Sequence, residues 1–79
     1  MILARVVTLN AGYNAEQEMV INLGWKVGDE FEVVAFSIGQ SSSTVQLNKL
    51  GFFNTVFFDF YENGIKINPY RDSRFNWYL

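Results

Sequence analysis

The stretch from residue 55 to residue 67 limits the fold more than any other part of the chain. From Thr55 onward the side chains alternate: Val56, Phe58 and Phe60 fall on one side, and Thr55, Phe57, Asp59 and Tyr61 fall on the other. A period of two is the mark of a β-strand, because successive side chains leave a pleated backbone on opposite faces. Glu62 leads into Asn63-Gly64, after which Ile65 and Ile67 alternate with Lys66 and Asn68. Asn-Gly between two alternating runs predicts a two-residue type I′ hairpin turn, whose central residues both need positive φ. Pro69 ends the return strand, since it has no N–H to give a neighbour. A chain committed to this hairpin is committed to antiparallel sheet.

The preceding residues supply the other strands. Residues 2–9 read as a strand, with β-branched Val6, Val7 and Thr8 and a single charge at Arg5, closed by the turn signal Asn10-Ala11-Gly12. Residues 14–23 are the one helix candidate. Asn14 caps, Gln17 stands three residues on, Glu16 and Glu18 favour the positive end of the dipole, and Met19, Val20 and Leu23 share a face before Gly24. A strand through Met19-Val20-Ile21 is the competing reading. After a turn at Trp25-Lys26-Val27-Gly28-Asp29, residues 30–38 form the strongest strand. Phe31, Val33 and Ala35 lie on one face and Val34, Phe36 and Ile38 on the other, which predicts burial between two layers or at a barrel corner. A polar loop, Gly39-Gln40-Ser41-Ser42-Ser43, precedes residues 44–48, where Val45 and Leu47 point inward. Lys49-Leu50-Gly51 is the next turn, and residues 52–62 read as one aromatic strand. The expected fold is mainly β, a small SH3-like barrel of about five antiparallel strands with one short helix, forming a single domain over residues 1–79.

Composition then excludes chemistries. A 79-residue chain has room for one domain and buries roughly 60% of its unfolded surface. Eight Phe, four Tyr and two Trp make that burial effective. With no Cys there are no disulfides, thiol catalysis or thiolate metal sites. With no His the commonest general base and zinc ligand are missing too. The expectation is no enzyme, no cofactor and no metal. A net charge of −2 with only six Lys and Arg disfavours a nucleic-acid module, which carries a basic face. The first residues lack a signal-peptide pattern and no apolar run reaches membrane-spanning length, so a cytoplasmic protein without a membrane partner is expected.

Four segments carry a family resemblance. They are Val27-Gly28-Asp29-Glu30-Phe31-Glu32-Val33, Ile38-Gly39-Gln40-Ser41-Ser42-Ser43-Thr44, Phe53-Asn54-Thr55-Val56-Phe57-Phe58-Asp59-Phe60-Tyr61, and Tyr70-Arg71-Asp72-Ser73-Arg74-Phe75-Asn76. Together they resemble small, uncharacterised SH3-like barrel proteins encoded by phages and prophages of Gram-positive bacteria. The resemblance implies a small barrel in a phage setting and brings no activity with it. Trp77 stands where the family pattern has Pro.

Four features are candidate sites. The loop 39–43 offers hydroxyls and N–H groups to an anion, but lacks the Lys or following helix of a phosphate cradle and reads first as a solvated hairpin loop. The tail places Tyr70, Arg71, Arg74 and Trp77 together, residue types enriched at protein interfaces. Its structural alternative is a strap in which Arg71 or Arg74 pairs with Asp72 or Asp59 while Phe75 and Trp77 plug the barrel end. Phe57, Asp59 and Tyr61, with Phe52, form an outward face that marks a contact surface unless the helix or tail covers it. The acidic residues Asp29, Glu30, Glu32, Glu16 and Glu18 fit no cation-loop spacing and read as surface charge. The leading functional expectation is a small interaction module that binds a host or phage protein through an aromatic and arginine surface. A nucleic-acid-binding barrel and a homodimer or other self-assembling protein are the alternatives.

Overall fold

The structure, a computed structural model, describes residues 1–76. In chain order the elements are β1 (Ile2–Val6), α1 (Asn14–Asn22), β2 (Glu30–Ile38), β3 (Ser43–Leu47), β4 (Gly51–Asn54), a 3-10 turn (Thr55–Phe57), β5 (Phe58–Glu62), β6 (Ile65–Ile67) and a second 3-10 turn (Pro69–Arg71). The six strands form one antiparallel sheet in the order β4-β3-β2-β1-β5-β6. The fold is mainly β with one short helix, as the sequence leads one to expect, with six strands in place of about five. The sheet is not closed: β4 and β6 are its hydrogen-bonding edges.

The hairpin at the chain's end forms as its sequence dictates. Glu62 pairs with Ile65, leaving Asn63 and Gly64 as the two-residue loop at φ 50° and 83°. Both are positive, as a type I′ turn demands. Pro69 is buried at the start of the second 3-10 turn, where its fixed φ suits the first helical position.

β2 is the hinge of the sheet. Its first residues pair with β1 (Leu3 with Glu32, Arg5 with Glu30), and its last residues pair with β3 (Phe36 with Val45, Ile38 with Ser43). The register slips between Val33 and Ala35. Such a bulge inserts one residue, bends the strand and reverses which parity faces inward. Phe31 and Val33 therefore point to the core before the slip, and Phe36 and Ile38 after it, while Val34 and Ala35 are exposed. Of the two expectations for this strand, burial between two layers is corrected, while the bend at the bulge agrees with the alternative, a corner. One core receives both parities in turn.

That core is aromatic. Trp25 lies 4.8 Å from Phe31, 4.7 Å from Phe53 and 5.6 Å from Phe58, joining the helix exit to β2, β4 and β5. Phe36 meets Phe60 edge-on at 4.9 Å, which ties the two halves of the bent sheet across its interior. Ala4, Val6, Val20, Val45, Leu47 and Phe57 complete it.

The helix forms where expected, with a different cap and a smaller footing. Tyr13, not Asn14, is the N-cap, and its backbone N–H donates to Glu16 Oε1 at 2.9 Å. Of the expected apolar face only Val20 is buried; Met19 and Leu23 stay exposed. Val20 is the one side chain of the helix that is buried, and Ile21 adds to the apolar surface it leaves open.

The largest correction concerns residues 52–62. They are not one strand. β4 pairs with β3, the chain then takes one 3-10 turn, and β5 crosses to pair with β1 on the far side of the sheet. The turn shifts the phase, so Phe57 is fully buried and Val56 is 44% exposed, the reverse of the alternation. Asn54 explains the break: its side chain accepts the N–H of Val56 at 3.1 Å, capping the turn. Val7 N–H donates to the Phe57 carbonyl at 2.8 Å and fixes the turn against the end of β1.

Candidate functional site

A groove of about 430 Å³ opens where three connections converge. One wall is the lead-in to α1, Gly12 and Tyr13. A second is the β2–β3 loop, residues 39–43. The third is Asn54, Thr55 and Val56 from the first 3-10 turn, with Tyr70 from the second. No lining residue carries a formal charge.

Local chemistry holds each wall. Gly39 N–H donates to the Ser42 carbonyl at 3.1 Å and to Ser43 Oγ at 3.2 Å, folding the loop tightly on itself. A Cβ at position 39 would stand 2.5 Å from that carbonyl oxygen, so the close approach needs glycine. Asn54 Nδ2 reaches Glu16 Oε1 at 3.4 Å, connecting the 3-10 turn to the helix start. Tyr70 O–H donates to Thr55 Oγ1, and Thr55 in turn donates to the Ser43 carbonyl at 3.4 Å. This relay runs through Thr55, only 2% exposed, and ties β3, the first 3-10 turn and the second into one wall. Tyr13 is 80% exposed and Tyr70 40%, so two rings face the opening with Val56 between the polar groups.

The residues singled out in sequence are distributed over three places. Phe57 is in the core and contributes nothing to a surface. Asp59 and Tyr61 lie on the outer face of β5 as expected, but both are engaged. Asp59 pairs with Lys66 at 3.3 Å, and the Arg5 guanidinium sits 4.3 Å above the Tyr61 ring while bonding Glu30 at 2.8 Å. The Glu30 hydrogen bond is the main reason the Arg5 pKa is raised. Arg74 belongs to a strap across the end of the sheet. It donates to both Glu62 oxygens, at 2.8 and 3.0 Å, and to Asp72 at 2.7 Å. Those bonds hold the Glu62 and Asp72 carboxyls below their ordinary range. Phe75 packs on Phe36 at 4.7 Å, so this part of the tail docks on its own domain. Asp72 is the partner the sequence offered Arg74; Asp59 is not. Arg71 is exposed on the second 3-10 turn and makes no ion pair among the described residues. Trp77 lies outside the described residues.

Of the features singled out in sequence, Tyr70 and the loop 39–43 line the groove together, and the described arginines do not. Tyr13, Asn54, Thr55 and Val56 carried no periodic signal of a site. The one local sign was an asparagine interrupting an apolar run directly before Thr55. The acidic residues do structural work: Glu16 caps α1, Asp29 Oδ2 accepts Lys26 N–H at 2.9 Å, and Glu30 pairs with Arg5. Among the described residues no three acidic groups gather as a metal would require, and no helix is long and apolar enough to cross a membrane.

No curated protein and no solved structure matches the chain. A family model does, the one described as bacteriophage T4 protein Y07B, and the match runs over residues 1–79. The phage setting implied by the four sequence segments is thereby shown over the whole length, and the chain belongs to the bacteriophage T4 protein Y07B family.

Proposed function

We propose that this phage protein is a non-catalytic binding module that contacts a protein partner through the groove walled by Tyr13, Val56 and Tyr70. The observation that carries the reading is the Tyr70–Thr55–Ser43 relay. It holds the Tyr70 ring and the hydroxyl-rich loop around an open cleft before any partner arrives, while the Tyr13 backbone is fixed separately by its N–H bond to Glu16. Pre-ordered aromatic walls lower the ordering cost of association, and tyrosine is enriched among residues that dominate interfaces. The uncharged lining speaks against nucleic acid, which is held through its phosphates by Lys and Arg. The strand order β4-β3-β2-β1-β5, with one 3-10 turn between β4 and β5, supports describing the domain as an SH3-like half-barrel. The partner is a host or phage protein met in the cytoplasm of the infected cell, Gram-positive in the resemblance noted above.

Photocrosslinking tests this. A benzophenone amino acid placed at position 13 is expected to capture one defined protein in infected cells. The same group at position 65, on the exposed edge strand β6, is expected not to. Tyr70→Ala is expected to abolish the capture from position 13. Identical adducts from both positions, or none from position 13, would remove the groove as the contact site.

A further inference from the structure

We infer that Arg74 is a positioning residue for the groove: from outside the cleft it latches residues 72–76 as a strap, and the strap sets where Tyr70 stands. The inference rests on the groove being the contact site and names what holds its Tyr70 wall in place.

The wall needs such a hold. Tyr70 is the middle residue of the second 3-10 turn, Pro69–Arg71, which follows the edge strand β6. One turn of 3-10 helix has poor hydrogen-bond geometry, and a segment that has left the sheet frays unless it is tied down. Before Tyr70 the tie is local. Pro69 is buried, and Asn68 Oδ1 accepts Tyr70 N–H at 3.1 Å. At the far end of the ring the hydroxyl meets Thr55. The tie on the carbonyl side comes from the strap, where Asn76 Nδ2 donates to the Tyr70 carbonyl at 2.7 Å.

The strap takes its shape from Asp72. The Asp72 carbonyl accepts Phe75 N–H at 3.0 Å and Asn76 N–H at 2.9 Å, and its carboxylate accepts Arg74 N–H at 3.0 Å. Two anchors then fix this turn to the sheet. Arg74 forks onto both Glu62 oxygens at the end of β5 while also bonding Asp72. Phe75 packs on Phe36 of β2, with the Arg74 guanidinium 4.8 Å above its ring. An isolated surface ion pair contributes little, but a bidentate arginine shared by two carboxylates is a geometry in which such pairs count. None of Glu62, Asp72, Arg74, Phe75 and Asn76 lines the groove. Their influence on it passes through Tyr70, and from Tyr70 through Thr55 to the Ser43 carbonyl.

Native-state hydrogen exchange tests this, because it separates local release from general weakening. The amides of Tyr70 and Arg71 report on the turn, the second donating to the Asn68 carbonyl at 3.1 Å. The amides of Val6 and Val7, which donate to the Asp29 and Phe57 carbonyls at 2.9 and 2.8 Å, report on the core. Arg74→Ala and Asn76→Ala are each expected to speed exchange at Tyr70 and Arg71 by about tenfold or more beyond any change at Val6 and Val7. Arg74→Lys keeps the charge and loses the fork, so its effect is expected to fall in between. Arg5→Ala removes another surface arginine, paired with Glu30 and stacked on Tyr61, and is expected to produce no such excess at the turn. Equal acceleration at Tyr70, Arg71, Val6 and Val7 would make Arg74 a contributor to general stability alone and overturn the inference. Unchanged rates at Tyr70 and Arg71 would overturn it too. In the crosslinking experiment Arg74→Ala is expected to reduce capture from position 13, since a loosened wall must be ordered on binding. Full capture beside a loosened turn would mean that the groove does not depend on the strap. If the unsubstituted chain captures nothing from position 13 while the exchange rates respond as expected, the contact site falls and the strap's hold on Tyr70 stands.

Discussion

Exchanging burial between Val56 and Phe57 is the sharpest consequence of the 3-10 turn, and stability measurements can weigh it directly. Phe57 is 0% exposed and lies 6.2 Å from Phe58, ring centre to ring centre. Truncating a buried Phe to Ala costs about 3–5 kcal/mol, from lost transfer energy and the cavity left behind. A domain of this size has a total stability of roughly 4–12 kcal/mol. Phe57→Ala therefore removes a large fraction of it, and at about 4–8 °C per kcal/mol the midpoint falls by at least ~12 °C. Val56, 44% exposed, loses two methyl groups that water already reaches, so Val56→Ala is expected to cost under about 1 kcal/mol. Urea unfolding followed by far-ultraviolet circular dichroism gives both numbers, and Phe57→Leu provides a milder cavity in case Phe57→Ala does not fold. Strict alternation from Thr55 reverses the order. A Val56→Ala cost equal to or above that of Phe57→Ala would refute the turn's effect on phase.

Three further outcomes follow from named contacts. Glu62 and Asp72 have depressed pKa values in the folded protein, chiefly through hydrogen bonds from Arg74. Such groups stabilise the fold above their unfolded pKa and lose that contribution as the pH falls through the folded one. Urea midpoints are thus expected to decline as the pH drops from about 5 to below 4, and Arg74→Ala to flatten the decline; an unchanged slope would mean the strap is not formed in solution. Thr55→Val leaves the Tyr70 hydroxyl without its acceptor and is expected to cost about 1–3 kcal/mol. Most of that loss is expected to vanish when Thr55→Val is made on a Tyr70→Phe background, a coupling that additive costs would rule out. Lys49 sits at φ 67°, a left-handed conformation that costs an ordinary side chain about 1 kcal/mol, so Lys49→Gly is expected to raise the midpoint slightly.

Much of the fold was legible because local chemistry and tertiary structure agree at those places. Asn63-Gly64 can form one kind of tight turn, and it does so. Val45 and Leu47 alternate with polar neighbours, and both are buried. The helix was legible from its acidic start and its Gly24 stop, although the cap moved to Tyr13, whose backbone N–H is accepted by Glu16. Trp25 was not legible as the hub of the core. It sits in a turn with no periodic neighbours, and its burial depends on Phe31, Phe53 and Phe58 arriving from three different strands. Nor could pattern alone place Arg5 over Tyr61, since that contact depends on β5 crossing to pair with β1.

The two failures of periodicity share a physical cause, and the second also explains why the wall formed by residues 54–56 escaped notice beside the loop 39–43 and Tyr70. At Val34 one extra residue re-aims the rest of β2, and at residues 55–57 one tight turn buries Thr55 and Phe57 and exposes Val56 before β5 resumes the expected alternation with Phe58 and Phe60 inward. Alternation cannot reveal such a shift when both parities are apolar, and here Val33 and Val34, then Val56, Phe57 and Phe58, are apolar in succession. The 3-10 turn acts in two directions at once. It sends Thr55 and Phe57 inward, one to receive the Tyr70 hydroxyl and the other to fill the core, and it turns Val56 out into the cleft. A straight strand there would bury Val56, expose Phe57 and leave Tyr70 without its anchor. Misreading the phase therefore removes the groove and creates a false aromatic surface in one step, so the stability order of Val56→Ala and Phe57→Ala bears on the proposed contact site as directly as on the fold.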